Sequence, residues 1–293
     1  MHREESSKAM GETMTNTLKQ WTSAFVTMFA NTGALLVFAA IYALLLVASY
    51  IFISIREATI WQVLVTYALL ILIPLGFFTL QAAIIDRAID QKLRWRVILI
   101  DAVKFFVAAI PVLLVVWLLY YLLNKLSAHY PAPIAEVIKT DPKTPPPTPP
   151  LHWPSLIFST LRFVLWGVVL PLATIHLWIA VAGGEVRTLF SPVKSFFKRI
   201  GSALARAFSP GSVLLYGLGL ILFFVLPYVI LMPTFTVNGN KMEFAVFVLR
   251  LVLSFLFSLI GWVVTLTAFA RSVPDLPAEI SAPAVAQPAE STA

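Results

Sequence analysis

The 293-residue chain has no cysteine. Disulfides, thiolate metal sites, iron–sulfur clusters and cysteine nucleophiles are therefore excluded. Charge is also scarce: 12% of residues are Asp, Glu, Lys or Arg, and 59% are hydrophobic. An average soluble domain carries about 25% charged residues. A soluble chain of this size needs a polar coat around its core, and the residues to build one are missing. Catalytic signatures are missing as well. There is no His-Glu-x-x-His, no Gly-x-Ser-x-Gly and no phosphate-binding Gly-x-x-x-x-Gly-Lys. No pair of carboxylates is read inside an apolar stretch, so acid–base work and Mg²⁺ binding find no residues. His129 and His152 stand without companions in a proline-rich stretch, and neither a metal nor a cofactor is expected. These absences point to a protein that is not an enzyme.

Long apolar runs are what the chain does have. Crossing the hydrocarbon of a bilayer takes about 20 apolar residues at about 1.5 Å each. Six segments qualify: 34–55, 60–85, 103–123, 156–182, 212–233 and 244–270. The expected fold class is an all-α, polytopic membrane helix bundle spanning 15–271. Residues 1–14 and the Pro/Ala/Ser tail 272–293 are expected to be disordered. Glu4, Glu5 and Glu12 spoil a positive leader, so the first apolar run is expected to be a retained helix and not a cleaved signal.

The basic residues give an orientation. The second connection holds Arg87, Lys92, Arg94, Arg96 and Lys104, and the fourth holds Arg187, Lys194, Lys198, Arg199 and Arg206. The other connections are poorer: Arg56, then Lys125, Lys139 and Lys143, then Lys241. By the positive-inside rule the two rich connections face the cytoplasm, and so do both termini. The expected location is a bacterial inner membrane. The net charge of +7 is spread between apolar segments and not over one soluble face. Anionic lipid headgroups are thus the expected partners, with no nucleic acid. The outer stretch 124–155 includes "DPKTPPPTPPLHWP", which favours an extended polyproline conformation. Such a strip can serve as a stiff spacer or as a dock for an envelope protein partner.

Amphipathic stretches precede two spans. Leu18, Trp21, Phe25 and Phe29 share one helical face before the first, and Phe197, Ile200, Leu204 and Phe208 share one before the fifth. A shift of 179 residues aligns Lys19, Ser23, Ala24, Phe29, Leu35 and Leu36 with identical residues. Residues 85–100 offer a weaker third copy through Ile85, Ile89, Leu93 and Val97. The pattern reads as one unit used three times: an interfacial helix on the cytoplasmic side, a span outward and a span back. The returning spans carry "LRFVL" at Leu161–Leu165 and "LRLVL" at Leu249–Leu253, with only Gln62 in that place in the second span.

The stretches "LKQWTSAFVTMFANTGALL", "KRIGSALARAFSPGSVLL" and "DRAIDQKLRWRVILIDAV" resemble poorly characterised bacterial six-helix families. These families are similar to the membrane domain of glycerophosphodiester phosphodiesterases. The resemblance covers about residues 15–272. It implies a fold and almost no chemistry, because the phosphodiesterase's catalytic domain has no counterpart here.

Arg162, Arg250 and His176 are the candidate site residues. A charge deep in lipid costs about 2.5–3.5 kcal/mol on insertion scales, so each arginine needs a reason. Both lie six residues inside their spans. From there a guanidinium can snorkel to the headgroups, or both can point inward and grip an anion such as a lipid phosphate. His176, fourteen residues after Arg162, can hydrogen-bond a neighbouring helix or relay protons. Pro74, Pro111, Pro171 and Pro227 interrupt spans, as in transporters with broken helices or in ordinary membrane packing. Ser254, Ser258, Gly261 and Thr265 form a small-residue stripe suited to close helix contact. The leading expectation is an envelope assembly or lipid-interacting factor. The alternative is a permease or flippase-like carrier for an anionic or lipidic substrate.

Overall fold

The computed structural model describes residues 2–56, 59–90, 92–131, 152–182, 201–202, 204–232 and 239–272, with side chains from Met14 onward, Asn240 excepted. Among these residues every regular element is helical. The helices are α1 (His2–Ala30), α2 (Thr32–Ser54), α3 (Ile60–Asp90) and α4 (Trp95–Ser127). The fourth span is α5 (Trp153–Val164), a π-helical turn (Leu165–Val169) and α6 (Leu170–Val181). The fifth is α7 (Pro210–Leu220), a second π-helical turn (Ile221–Val225) and α8 (Leu226–Leu231), and the sixth is α9 (Asn240–Ser272). Six helical stretches are long and apolar enough to cross a membrane; four lie within three residues of the expected segments, while the second ends five residues later and the third begins eight residues earlier. The protein is an all-α polytopic helix bundle. Most of the proline-rich stretch, the connection at 183–200 and the tail at 273–293 lie outside the described residues, with Phe197 and Ile200 among them.

The start of the chain corrects one expectation. α1 runs back to His2, into the part expected to be disordered. Residues 2–30 contain no proline and a single glycine, Gly11, so nothing in the backbone chemistry stops the helix at residue 15. α1 does not simply lie beneath the bundle either. Thr17, Ala24 and Met28 are buried, while Leu18 and Phe29 of the expected apolar face are exposed. α1 packs against α7 and α9 through Ala24 and Met28, with Trp21 and Phe25 half-buried against the core and Leu18 and Phe29 turned outward. Leu204 and Phe208 are likewise exposed beside buried Ala207.

The third interfacial helix is not there. Residues 85–90 finish α3 and residues 95–100 begin α4, with the chain reversing between them. Their apolar spacing comes from two helix ends packing into the bundle: Ile84, Ile85 and Ile98 are buried. Two of the three hairpins nonetheless share a device. Arg162 Nη2 reaches back to Ser127 Oγ at 2.7 Å, on the last residue of α4. Arg250 reaches back to the end of α8, with Nε on Ile230 O at 2.6 Å and Nη2 on Leu231 O at 2.9 Å. In the first hairpin Gln62 instead closes a capping box with Thr59, accepting from Thr59 N at 2.9 Å.

Burial is uneven along the bundle axis. One end gathers the last turns of α3, the first half of α4, α6, α7 and the last half of α9, where Gln81–Asp86, Leu172–Ile179 and Val263–Ala270 are buried. We call it the packed end. At the opposite, open end Tyr50, Ile60, Trp61, Trp117, Leu156 and Phe244 are all exposed. Lipid tails are as apolar as leucine, so helices in a bilayer associate through tight packing and hydrogen bonds more than through hydrophobic burial. The packed end has both. Trp178 stacks on Phe105 at 5.7 Å and meets Phe77 and Phe78 edge-on. Its Nε1 donates to Phe105 O at 3.2 Å. Trp262 Nε1 donates to the buried Gln81 Oε1 at 2.6 Å, tying α9 to α3.

The prolines of the fourth and fifth spans act alike. Each follows a π-helical turn, and each leaves a carbonyl four residues upstream without its helical donor. A neighbouring helix supplies the missing hydrogen: Tyr216 Oη donates to Gly167 O at 2.8 Å, and Ser258 Oγ donates to Phe223 O at 3.0 Å. The small-residue stripe of α9 lies against the fifth span. A Cβ on Gly261 would come within 2.7 Å of Phe223 N, and one on Gly219 within 2.0 Å of Thr265 Oγ1.

Candidate functional site

The structure keeps the three candidate residues apart and bonds each of them inside the protein. Arg162 sits at the open end, half-buried on Ser127. Arg250 also sits at the open end, on the carbonyls that close α8. A cation is favoured there because a helix C-terminus carries unmatched carbonyls and partial negative charge. His176 lies at the packed end, 5% exposed and edge-on to Phe269 at 5.3 Å. Its Nε2 shares a hydrogen bond of 3.0 Å with Ser212 Oγ, which also accepts from Ser209 Oγ at 2.8 Å. Ser209 is the N-cap of α7, so the histidine ties α6 to the start of the fifth span. Fourteen residues of helix, about 21 Å, separate it from Arg162.

Two further polar clusters occupy the packed end. In the first, Asp86 of α3 and Asp101 of α4 are buried, at 7% and 0% exposure, together with Lys104. Lys104 Nζ donates to Asp101 Oδ1. Asp86 is in hydrogen-bonding contact with the Asp101 carboxyl, while its Oδ2 has no partner. Both carboxylates lie just outside the apolar segments 60–85 and 103–123, yet they meet inside the bundle. α3 and α4 extend past their apolar runs, and because α4 begins at Trp95, so soon after α3 ends at Asp90, both carboxyls come together. Lys104 balances Asp101 over one helical turn, and the cluster fastens α3 to α4.

The second cluster lines a cavity of about 230 Å³ between α1, α2, α3 and α9. Thr27, Asn31, Arg87, Thr267 and Arg271 supply its polar wall, and Leu35, Phe38, Ile84 and Val263 its apolar wall. The geometry follows from helix ends. Arg87 stands in the last turn of α3 and Arg271 in the last turn of α9, and Asn31 caps the start of α2 by accepting from Ala34 N at 3.2 Å. Arg271 Nη1 donates to Thr27 Oγ1 at 2.9 Å, joining α9 to α1. Sequence reading took Arg87 only as an orientation marker and gave Arg271 no role. The clue available was that both fall one to three residues before the end of a returning span, the same depth as residue 31 at the start of the first. Among the described residues no group of three or more His, Asp or Glu is arranged to hold a metal ion.

Comparison with protein-family models, with curated proteins and with solved structures finds no match in any of the three.

Proposed function

We propose that the chain is a non-enzymatic, lipid-interacting protein of a bacterial inner membrane, acting in envelope assembly or lipid organisation. The packed end, with its arginines and Lys92, is assigned to the cytoplasmic side together with both termini. The carrying observation is where the polar groups sit. Arg162, Arg250 and His176 are each bonded to neighbouring helices at separate places, so they do not converge on a passage. The polar cavity opens instead at one rim of the bundle, beside apolar residues of α2. Such a distribution suits a protein that holds lipid at one face and suits a carrier poorly, because a carrier needs its polar groups around a site near the bilayer midplane. The six-helix families named above fit the same reading through their sequence motifs.

Native mass spectrometry of the purified protein and of an Arg162→Ala/Arg250→Ala double variant tests it. Both are expected to carry the same bound lipids, the variant being less heat-stable. Loss of a bound lipid or anion from the variant would favour the carrier reading, and absence of bound lipid from both would remove the present one.

A further inference from the structure

Two cations share one cavity with no acidic residue among the described residues that line it. Arg87 and Arg271 both face the space between α1, α2, α3 and α9, each half-buried. The ion pairs among the described residues, Arg94–Asp90 and Lys104–Asp101, include neither. The first turn of α2 closes a third side, and the backbone N–H groups of a first turn have no partner within the helix. Thr27 and Thr267 add hydroxyl groups.

The depth is that of a headgroup. α3 has 31 residues, about 46 Å of helix, against about 30 Å of hydrocarbon. Its last turns, with Arg87, therefore pass beyond the acyl region. α9 has 33 residues and ends one residue after Arg271. Apolar Leu35 and Phe38 continue the cavity wall along α2, from the cationic mouth toward the acyl region. A volume of about 230 Å³ is below the roughly 300–1,000 Å³ of pockets that enclose a drug-sized ligand. It suits a small anionic group whose hydrocarbon remains in the bilayer.

We propose that Arg87 and Arg271, with the first turn of α2, form a binding site for the phosphate of an anionic lipid headgroup, its acyl chains lying along α2. Guanidinium groups hold phosphate through paired, charge-assisted hydrogen bonds, which an ammonium cannot reproduce. The site rests on the lipid-interacting reading above and gives that reading a place and a chemical class.

The test uses delipidated full-length protein and three probes: phosphatidylglycerol, phosphatidylcholine and inorganic phosphate, each titrated and read by native mass spectrometry. Wild type should bind phosphatidylglycerol at least tenfold more tightly than phosphatidylcholine. Arg87→Gln/Arg271→Gln should abolish that preference, and Arg87→Lys/Arg271→Lys should keep part of it. Arg162→Gln/Arg250→Gln should leave it unchanged. Melting curves identify any variant that fails to fold, and for such a pair the single lysine variants take its place. An undiminished preference in folded Arg87/Arg271 variants overturns the site while leaving the lipid-interacting reading standing. Equal binding of the two lipids by wild type overturns the anion specificity. Binding of inorganic phosphate with no binding of phosphatidylglycerol makes this a soluble-anion site and overturns the lipid assignment. If wild type binds no lipid at all, both readings fall together.

Discussion

The packed end and the open end are built from the same six spans, yet they are held by different means. At the packed end, helices interlock through Trp178 and Phe105, the Gly219 and Gly261 close approaches and the Asp86–Asp101–Lys104 cluster. At the open end the spans carry exposed apolar side chains on most faces, joined by ring contacts such as Tyr120 on Trp166 and by polar clasps such as Arg162 on Ser127. An apolar residue gains little by leaving lipid for a helix interface, so composition alone does not draw spans together. What fastens one end is shape at glycine, polar satisfaction at proline and the ion pair of Asp101 with Lys104. The π-helical turns mark the transition: Tyr216 and Ser258 take up the carbonyls freed by Pro171 and Pro227 where the open half meets the packed half.

The sharpest way to break this contrast is to unbalance the buried ion pair. Lys104→Met leaves Asp101 buried without its cation and should cost about 3–5 kcal/mol, read as a large fall in melting temperature in lipid nanodiscs. Phe105→Ala removes a fully buried ring under Trp178 and should cost about 3–5 kcal/mol by the same measurement. Gly219→Val forces a side chain into Thr265 and should cost about 1–3 kcal/mol. At the open end Arg250→Gln gives up the cation at the end of α8, an effect of about 1–2 kcal/mol. Trp117→Ala, on an exposed face, should stay within about 0.5 kcal/mol. If Trp117→Ala proved as damaging as Phe105→Ala, the two ends would not differ as described.

The six spans were legible because the cost of exposing polar groups to lipid writes itself as uninterrupted apolar length. The close contact at Ser254, Ser258 and Gly261 was legible for a related reason, since small residues at helical spacing have few other uses in lipid. The helix at 85–100 was misread because a helix end buried in protein and a helix lying on a membrane show the same periodicity. Ile85 and Ile98 face protein, and nothing in their spacing says so. The role of Arg87 and Arg271 was hidden by a shared appearance as well. A basic residue that orients a span and one that lines a cavity look alike until α1, α2, α3 and α9 are brought together. Asp86 and Asp101 sit fifteen residues apart on either side of a reversal, and only the length of the two helices puts them in contact.

The absence of native cysteine makes one measurement unusually direct. Single cysteines introduced as Lys92→Cys at the packed end and Ala128→Cys at the open end can be labelled in intact spheroplasts with a membrane-impermeant maleimide. The account predicts labelling of Ala128→Cys at once and of Lys92→Cys only after the membrane is permeabilised. Labelling of both from the same side, or of Lys92→Cys alone, would contradict a bundle that crosses the bilayer with its packed, arginine-lined end in the cytoplasm.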